Sequence, residues 1–405
     1  MQTIKFLTTL IPKAMYDQIS TKSTYNMQDA ADALQRHIHE GLCENYRQDI
    51  ELINVLPIGS FPQYYSEPFI KSEKFATATG QNNMNIGFCN IKLLRKYIIP
   101  HRVYKALIRA FKNTEEGILF VYTICSAFTE AVSKFKKKKP GVKVCTIVAD
   151  LPDMSSLSSD NGIIKKLFIK HLAKKSYKNI SCIDAFVLLT KHMAEYMKID
   201  KPYCVMEGIS TSSAEYGEVG NADFGNEKTI MYTGTLHKRF GVLNLLQAFG
   251  KIKDENYRLI ICGSGDSEEE IENAEKKDKR IRFLKQLPRQ EVLKLQSKAT
   301  ALVNPRQNNE DFTKYSFPSK NLEYLSSGVP VVAYKLDGIP DEYDDYIFYV
   351  KDNSVQSLSE KLTEICELDS EERTKIGRKA RDFVLSQKNP IAQTKKIIDL
   401  VGSLN

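Results

Sequence analysis

The residues best placed for chemistry lie in three loops, and the most informative reads Ser316-Phe317-Pro318-Ser319-Lys320-Asn321-Leu322-Glu323. Proline in this setting marks a helix start at or near its first position, with Ser316 or Ser319 as the cap. The free N–H groups of such a start favour an anion, and Lys320 adds a positive charge. Glu323, one turn further along, brings a carboxylate able to accept two hydroxyl hydrogen bonds, as from a ribose. Alone, Glu323 is as well explained by pairing on a surface helix. Combined with the helix start, Ser319 and Lys320, it points to a nucleotide. A second loop follows the run TIMYTG: Gly234 and Thr235 end a strand, and Lys238, Arg239 and Gly241 precede a helix. That combination suits a diphosphate, although taken alone a tight turn with solvated cations explains it better. The third loop, Gly263-Ser264-Gly265-Asp266, holds part of a dinucleotide fingerprint without the full G-x-G-x-x-G, and turn geometry alone accounts for its glycines.

These loops need strands and helices to position them. Strand patterns fall at Ile4–Thr9, Ile50–Leu56, Gly117–Tyr122, Val142–Val148 and Ala185–Leu189 in the first half. In the second they fall at Thr229–Thr233, Arg258–Cys262, Ile281–Leu284, Ala301–Asn304, Pro330–Ala333 and Ile347–Val350. Helical patterns alternate with them at 26–42, 92–112, 126–137, 161–178 and 190–198, then at 240–251, 267–277, 289–299, 319–327 and 354–366. Strands apolar on both faces, each followed by a helix, imply parallel sheets covered on both sides. Two such series predict an α/β chain of two doubly wound domains, 1–210 and 225–385. A closing helix within 386–405 would cross back to the first domain, and the polar stretch Thr211–Glu227 reads as the linker. Ligands in such folds bind outside the carboxyl ends of the strands.

Composition narrows the class. In 405 residues, 42% are hydrophobic and 27% charged, which excludes disorder, a coiled coil and a small disulfide scaffold. The eight cysteines form no C-x-x-C and read as free thiols in a reducing cytoplasm, with no metal site. No basic-then-apolar leader opens the sequence and no apolar run reaches ~18 residues, so neither secretion by that route nor a membrane span is expected. Residues 1–205 hold 29 basic against 18 acidic residues; residues 206–405 hold 29 against 32. The basic excess concentrates in Lys134–Lys139 and Lys165–Lys178. Two readings stand: a solvated helix face, or a face lying on anionic lipid as a peripheral cytoplasmic protein. No aromatic platform accompanies the lysines, so nucleic acid is not an expected partner.

The run FPSKNLEYLSSGVPVVAYKLDGIPDEY resembles the donor-site segment of retaining glycosyltransferases of the GT-B fold, family 4 (glycosyl transferases group 1). TGTL…FGVLNLLQAF, IICGSGD, RIRFLKQLPRQEV and ALVNP precede it in the order that family has, so the resemblance spans Thr229–Val350. It implies two Rossmann-like domains facing across a cleft, and transfer of a sugar from a UDP- or GDP-linked donor to a saccharide or lipid-linked acceptor in surface polysaccharide synthesis. No cofactor beyond that donor is implied. Gly234, Thr235 and Gly263 would line the diphosphate with Lys238 and Arg239. Ser316, Phe317, Pro318, Ser319 and Lys320 would form the phosphate-binding helix start. Glu323 would hold the ribose, and Gln286 and Leu287 would meet the base. Asp150, ending VCTIVADLP, would sit near the transferred sugar. Tyr315 stands where the family has a glutamate, and Thr235 and Phe240 stand where it has arginine and lysine. Ser23–Gln28 replaces its Gly-Gly loop.

No D-x-D motif ends a strand, and Asp344-Asp345 reads as a surface turn, so the expectation is metal-independent stabilisation of the leaving diphosphate by Lys238 or Arg239 and the helix start. Asp150 would orient the sugar in a retaining reaction or act as base in an inverting one; capping of the turn before Pro152 explains it equally. A non-catalytic partner of another transferase and a nucleotide-sugar epimerase of the same fold stand as alternatives.

Overall fold

In the computed structural model, residues 2–24, 29–80, 82–153, 163–210 and 227–404 are described. The expected linker, up to residue 226, and most of Ser23–Gln28 lie outside them. The chain divides into two compact units, one formed by Met1–Met206 with Pro390–Asn405 and the other by Glu207–Asn389.

Among the described residues the first unit holds ten strands: β1 (Ile4–Thr8), β2 (Glu51–Asn54), β3 (Phe69–Ile70), β4 (Glu73–Phe75), β5 (Asn83–Asn85), β6 (Phe88–Cys89), β7 (Gly117–Tyr122), β8 (Val142–Val148), β9 (Ala185–Leu188) and β10 (Tyr203–Val205). Eight of them form a sheet ordered β10-β9-β8-β7-β1-β2-β5-β4, parallel except for β4 against β5. Helices α1 (Tyr16–Lys22), α2 (Asp29–Tyr46), α3 (Lys92–Ala110), α4 (Ser126–Lys138), α5 (Ile163–Lys178) and α6 (Lys191–Met197) belong to this unit. Every residue of β7 is buried, as its unbroken apolar run requires when both faces are covered. The strand expected over Ile50–Leu56 pairs only from Glu51 to Asn54, because the chain then turns: the Val55 N–H closes on Thr8 and Asn54 side-chain atoms bond across to β1. The pairs β3–β6 and β4–β5 carry no sequence period that could announce them, being two or three residues long.

The second unit holds β11 (Lys228–Thr235), β12 (Tyr257–Ser264), β13 (Ile281–Phe283), β14 (Ala301–Asn304), β15 (Val331–Ala333) and β16 (Ile347–Tyr349), in the order β13-β12-β11-β14-β15-β16 and all parallel. Its helices are α7 (Val242–Lys251), α8 (Glu268–Lys277), α9 (Arg289–Gln296), α10 (Ser319–Ser327), α11 (Val355–Glu367) and α12 (Ser370–Gln387). One apolar core runs through it, from Ile230 and Met231 on β11 to Ala380 and Val384 on α12. The helix α12 escaped the sequence reading, although Asp369-Ser370-Glu371-Glu372 signals its start; the Asp369 carboxylate accepts from the Glu372 N–H at 2.8 Å. Near the ends of the unit, Lys388 is buried and pairs with buried Glu207 at 2.6 Å and with Glu342 at 2.5 Å, while Tyr343 donates to Glu207. The last helix, α13 (Pro390–Gly402), belongs to the first unit and lies along α2: Asn45 donates to the Ile391 carbonyl and to Thr394, both at 2.9 Å. A side chain at Gly41 would run into the Pro390 carbonyl, so glycine sets the approach of these two helices.

Among the described residues no helix is long and apolar enough to cross a membrane. Part of the basic excess is paired within the first unit. Lys134 and Lys175 meet Glu130, Lys136 meets Asp184, and Lys139 meets Glu115, at 2.6–2.9 Å.

Candidate functional site

The second unit's sheet grows from β11 in two directions, first through β12 and β13, then through β14, β15 and β16. Its order therefore reverses between β11 and β14, and a crevice opens at the carboxyl ends of two such strands. The carboxyl ends of β11 and of its other neighbour, β12, adopt unusual backbone. Gly234 has φ of 144° and its register partner Gly263 has φ of 143°. A Cβ on Gly263 would strike the Gly234 carbonyl oxygen, so close strand packing demands this glycine, rather than the turn geometry that the sequence suggested. Gly234 differs. A Cβ there would meet only Lys320 Cε at 3.5 Å and the Tyr232 hydroxyl at 3.8 Å. The Lys320 side chain thus lies along the end of β11. Thr235 follows, exposed, its carbonyl accepting from Tyr232 at 2.9 Å.

Lys320 stands in the first turn of α10. Pro318 is the residue before the helix, with φ −74° and ψ 94°, not its first helical residue, and no side-chain cap bonds the start. The expected serine cap is missing because Ser316 turns away: its hydroxyl donates to the Phe312 carbonyl and accepts from Arg306 Nη2 at 2.8 Å. Ser319 is exposed. Phe317 is buried against Tyr343, ring centroids 5.3 Å apart, and fixes the entry of the chain. An uncapped start of a nine-residue helix keeps N–H donors and a positive dipole end for an anion. Gly328, with φ of 78°, closes the helix.

Glu323 sits one turn further on, with 13% of its side chain exposed. One carboxylate oxygen accepts from Lys320 Nζ and from Gln296 Nε2, each at 2.8 Å; the other accepts from Arg289 at 3.0 Å. Burial pushes this carboxyl up, but Lys320, Gln296 and Arg289 outweigh it, and the net pKa is lowered. Gln296 is itself buried and also donates to Thr233 on β11 at 2.8 Å. Neither Gln296 nor Arg289 was singled out in the sequence, since both come from α9. Gln286 and Leu287 lie between β13 and α9; Gln286 is exposed, and Leu287 packs its side chain against the core. Just before them, the Lys285 carbonyl accepts from the Gly263 N–H at 2.9 Å.

The two expected cations diverge. Lys238 pairs with Glu270 on α8 at 2.5 Å, and its backbone N–H bonds Asp266 at 2.9 Å, so its ammonium is directed to the neighbouring helix. Arg239 stacks over Phe240 and Phe312, 5.0 and 5.4 Å from the ring centroids. Arg306, which follows β14 and went unnoticed in the sequence, packs on the same rings at 5.5 and 4.6 Å. Burial first, and then the Arg239 charge, pushes its pKa down to about 10. Among the described residues its Nε is buried without a partner, as are Gln296 Oε1 and Asn321 Nδ2. The loop of Gly338 backs this cluster, since a Cβ there would press on the Ser316 and Thr313 carbonyls. Asp344 is held by Lys335, as befits a turn.

Asp150 belongs to the first unit, immediately past β8. Desolvation raises its carboxyl pKa, although the residue is exposed and solvent limits the effect. Also in the first unit, His39, Cys43 and Asp49 lie within metal-ligand reach of one another. Both nitrogens of the buried His39 are engaged, Nε2 with the Ile50 carbonyl at 2.7 Å and Nδ1 with the Thr79 hydroxyl at 3.3 Å.

Residues 219–383 match the family model described as glycosyl transferases group 1. The match lies wholly within the second unit, the one whose sheet reverses order between β11 and β14. No curated protein matches the chain in sequence. Solved structures match over its whole length. Sucrose-phosphate synthase from Thermosynechococcus elongatus is 12% identical with a TM-score of 0.65, covering 100% of this chain and 99% of its own. HepE from Anabaena, solved with UDP, is 12% identical with a TM-score of 0.61, covering 99% and 100%. The lipopolysaccharide outer core galactosyltransferase WaaB is 14% identical with a TM-score of 0.62, covering 99% of each. The fold is α/β of the GT-B class, with two Rossmann-like domains.

Proposed function

We propose that this chain transfers a sugar from a nucleotide-diphosphate sugar, UDP- or GDP-linked, to a saccharide or lipid-linked saccharide acceptor. The observation that carries this reading is the uncapped start of α10 beside Gly234, with Lys320 laid along the strand end and Glu323 one turn further. A diphosphate at that start meets backbone N–H groups, the helix dipole and the Lys320 ammonium together. Those fixed donors stabilise the charge that grows on the leaving diphosphate, which is the largest electrostatic demand of glycosyl transfer and one they meet without a metal ion. Glu323, kept ionised by Lys320, Gln296 and Arg289, is the acceptor for ribose hydroxyls. The match of residues 219–383 to glycosyl transferases group 1 and the UDP bound in the HepE structure favour this assignment.

Transfer with retention is the proposed stereochemistry, with Asp150 as the first unit's candidate for orienting the transferred sugar. The acceptor is assigned to surface polysaccharide synthesis at the inner face of a membrane, with the exposed Lys137, Lys138, Lys170 and Lys174 of α4 and α5 turned to anionic lipid.

A thermal-shift screen of nucleoside diphosphates, followed by a hydrolysis assay with the matching nucleotide sugars, tests the reading. One base should raise the melting temperature, and its sugar conjugate should be hydrolysed slowly without acceptor. No shift with any nucleoside diphosphate would overturn it. For the lipid face, binding to phosphatidylglycerol vesicles should fall with salt and with the Lys137→Gln/Lys138→Gln/Lys170→Gln/Lys174→Gln variant; binding that ignores both would leave the helices merely solvated.

A further inference from the structure

Arg306 is placed by backbone contact. Gly241, with φ of 83°, ends the turn Lys238–Phe240, and a Cβ on it would collide with the Pro305 carbonyl. The loop after β11 is thereby pressed onto the loop after β14, at the point where the sheet order reverses. Arg239 from one loop and Arg306 from the other share the faces of Phe240 and Phe312. Two like charges on one aromatic pair repel. Among the described residues neither guanidinium has an ion-pair partner, and Arg306 Nε has no hydrogen-bond acceptor. Arg306 is half-buried with its Nε fully buried, and the nearby Glu310 favours its charge without pairing with it, so an anion reaching that group would complete it. The Ser316 hydroxyl, which accepts from Arg306 Nη2, lies three residues before the start of α10 and ties the arginine to that helix start.

We propose that Arg306, with Arg239, grips the diphosphate of the donor and replaces the two cations that the chain lacks at Thr235 and Phe240. The inference rests on the nucleotide-sugar reading above and names the residues that hold its phosphates. The aromatic pair keeps both guanidinia in place before the ligand arrives, so little side-chain freedom is lost on binding. An arginine offers two parallel N–H groups to phosphate oxygens, which a lysine cannot. Lys238, directed to Glu270, is left outside this grip.

The competing explanation is that Arg306 merely braces Ser316. Calorimetry of the full chain with inorganic pyrophosphate, and with the nucleoside diphosphate and monophosphate of the preferred base, separates the two. Arg306→Gln should weaken pyrophosphate and diphosphate binding by about 10- to 100-fold, as expected for loss of a charge-assisted bidentate contact, and monophosphate binding by much less. Arg306→Lys should fall between. The unliganded melting temperature of Arg306→Gln should stay level or rise, because a like charge has been removed. Wild-type affinity for pyrophosphate in Arg306→Gln, or a lowered melting temperature with unchanged affinity, would make the arginine structural and overturn the inference while leaving the nucleotide reading intact. Arg306-dependent pyrophosphate binding with no response to any nucleoside diphosphate would keep the anion site and end the nucleotide reading.

Discussion

The loop that leaves β1 and the loops that leave β11 and β14 hold equivalent places, each beside the strand where its sheet reverses order. Their polar groups fare differently. After β1, Asn54 accepts from Thr8 Oγ1 and the Leu10 N–H at 2.9 and 2.6 Å and donates to the Leu10 carbonyl at 2.9 Å. Gln35 takes the Thr9 N–H, Asp32 takes the Ile11 N–H, and Arg36 pairs with Asp32 and reaches the Ile11 carbonyl. That loop is closed by the protein's own side chains. Around the ends of β11 and β14, Gln296 Oε1 from α9, Arg306 Nε and Asn321 Nδ2 are buried without partners among the described residues, and α10 starts uncapped. The lesson is that a doubly wound sheet does not by itself make a ligand site at its reversal; the polar groups left over there do.

Four variants sharpen or break this contrast. Gly263→Ala should do most harm, since its Cβ meets the Gly234 backbone at positive φ; a loss of about 3–5 kcal/mol in urea unfolding is expected, with nucleotide binding lost alongside. A mild loss would show that the strand ends are less tightly joined than described. Asn54→Ala should cost about 2–3 kcal/mol by orphaning the Leu10 and Thr8 groups, yet leave nucleoside diphosphate affinity unchanged. Altered affinity would contradict the view that the β1 loop is self-contained. Glu323→Ala should weaken nucleotide binding by about 1–3 kcal/mol, the range for a lost hydrogen-bond partner of a charged group; unchanged calorimetric affinity removes Glu323 from the site. Lys238→Ala should change neither affinity nor melting temperature measurably, because Lys238 is exposed and its partner Glu270 is partly so, leaving the pair screened by solvent. A large loss of affinity there would mean that Lys238 leaves Glu270 for the ligand.

The Glu323 network also has a pH signature. Its folded pKa is depressed, so the ionised carboxylate adds stability above the usual carboxylate range, and that contribution is lost as pH falls through the folded value. The stability advantage of wild type over Glu323→Gln, measured by urea unfolding, should be full at neutral pH and shrink towards pH 4 and below. An advantage that grows on acidification contradicts the network.

Much of this fold was legible in the residues. Gly117–Tyr122, Val142–Val148 and Ala301–Asn304 fold as strands over the ranges their unbroken apolar runs imply, and Ser319–Ser327 is bracketed as a helix by Pro318 and Gly328. What escaped depends on contacts distant in sequence. Arg306 looks like an ordinary surface cation until the fold lays it on Phe240 and Phe312. Lys238 looks available until α8 presents Glu270. Gln296 and Arg289 reach Glu323 only once α9 packs beside α10, and no periodicity reports that. The short strands β3 to β6 have too few residues for any pattern to establish itself.

The central claim is that a diphosphate docks at the start of α10, against Gly234, Lys320 and Arg306. A crystal structure grown with a saturating nucleoside diphosphate tests it most directly. The account predicts phosphate oxygens on the Ser319 and Lys320 N–H groups with the ribose near Glu323. A nucleotide bound elsewhere, with this helix start closed over by side chains, would contradict it.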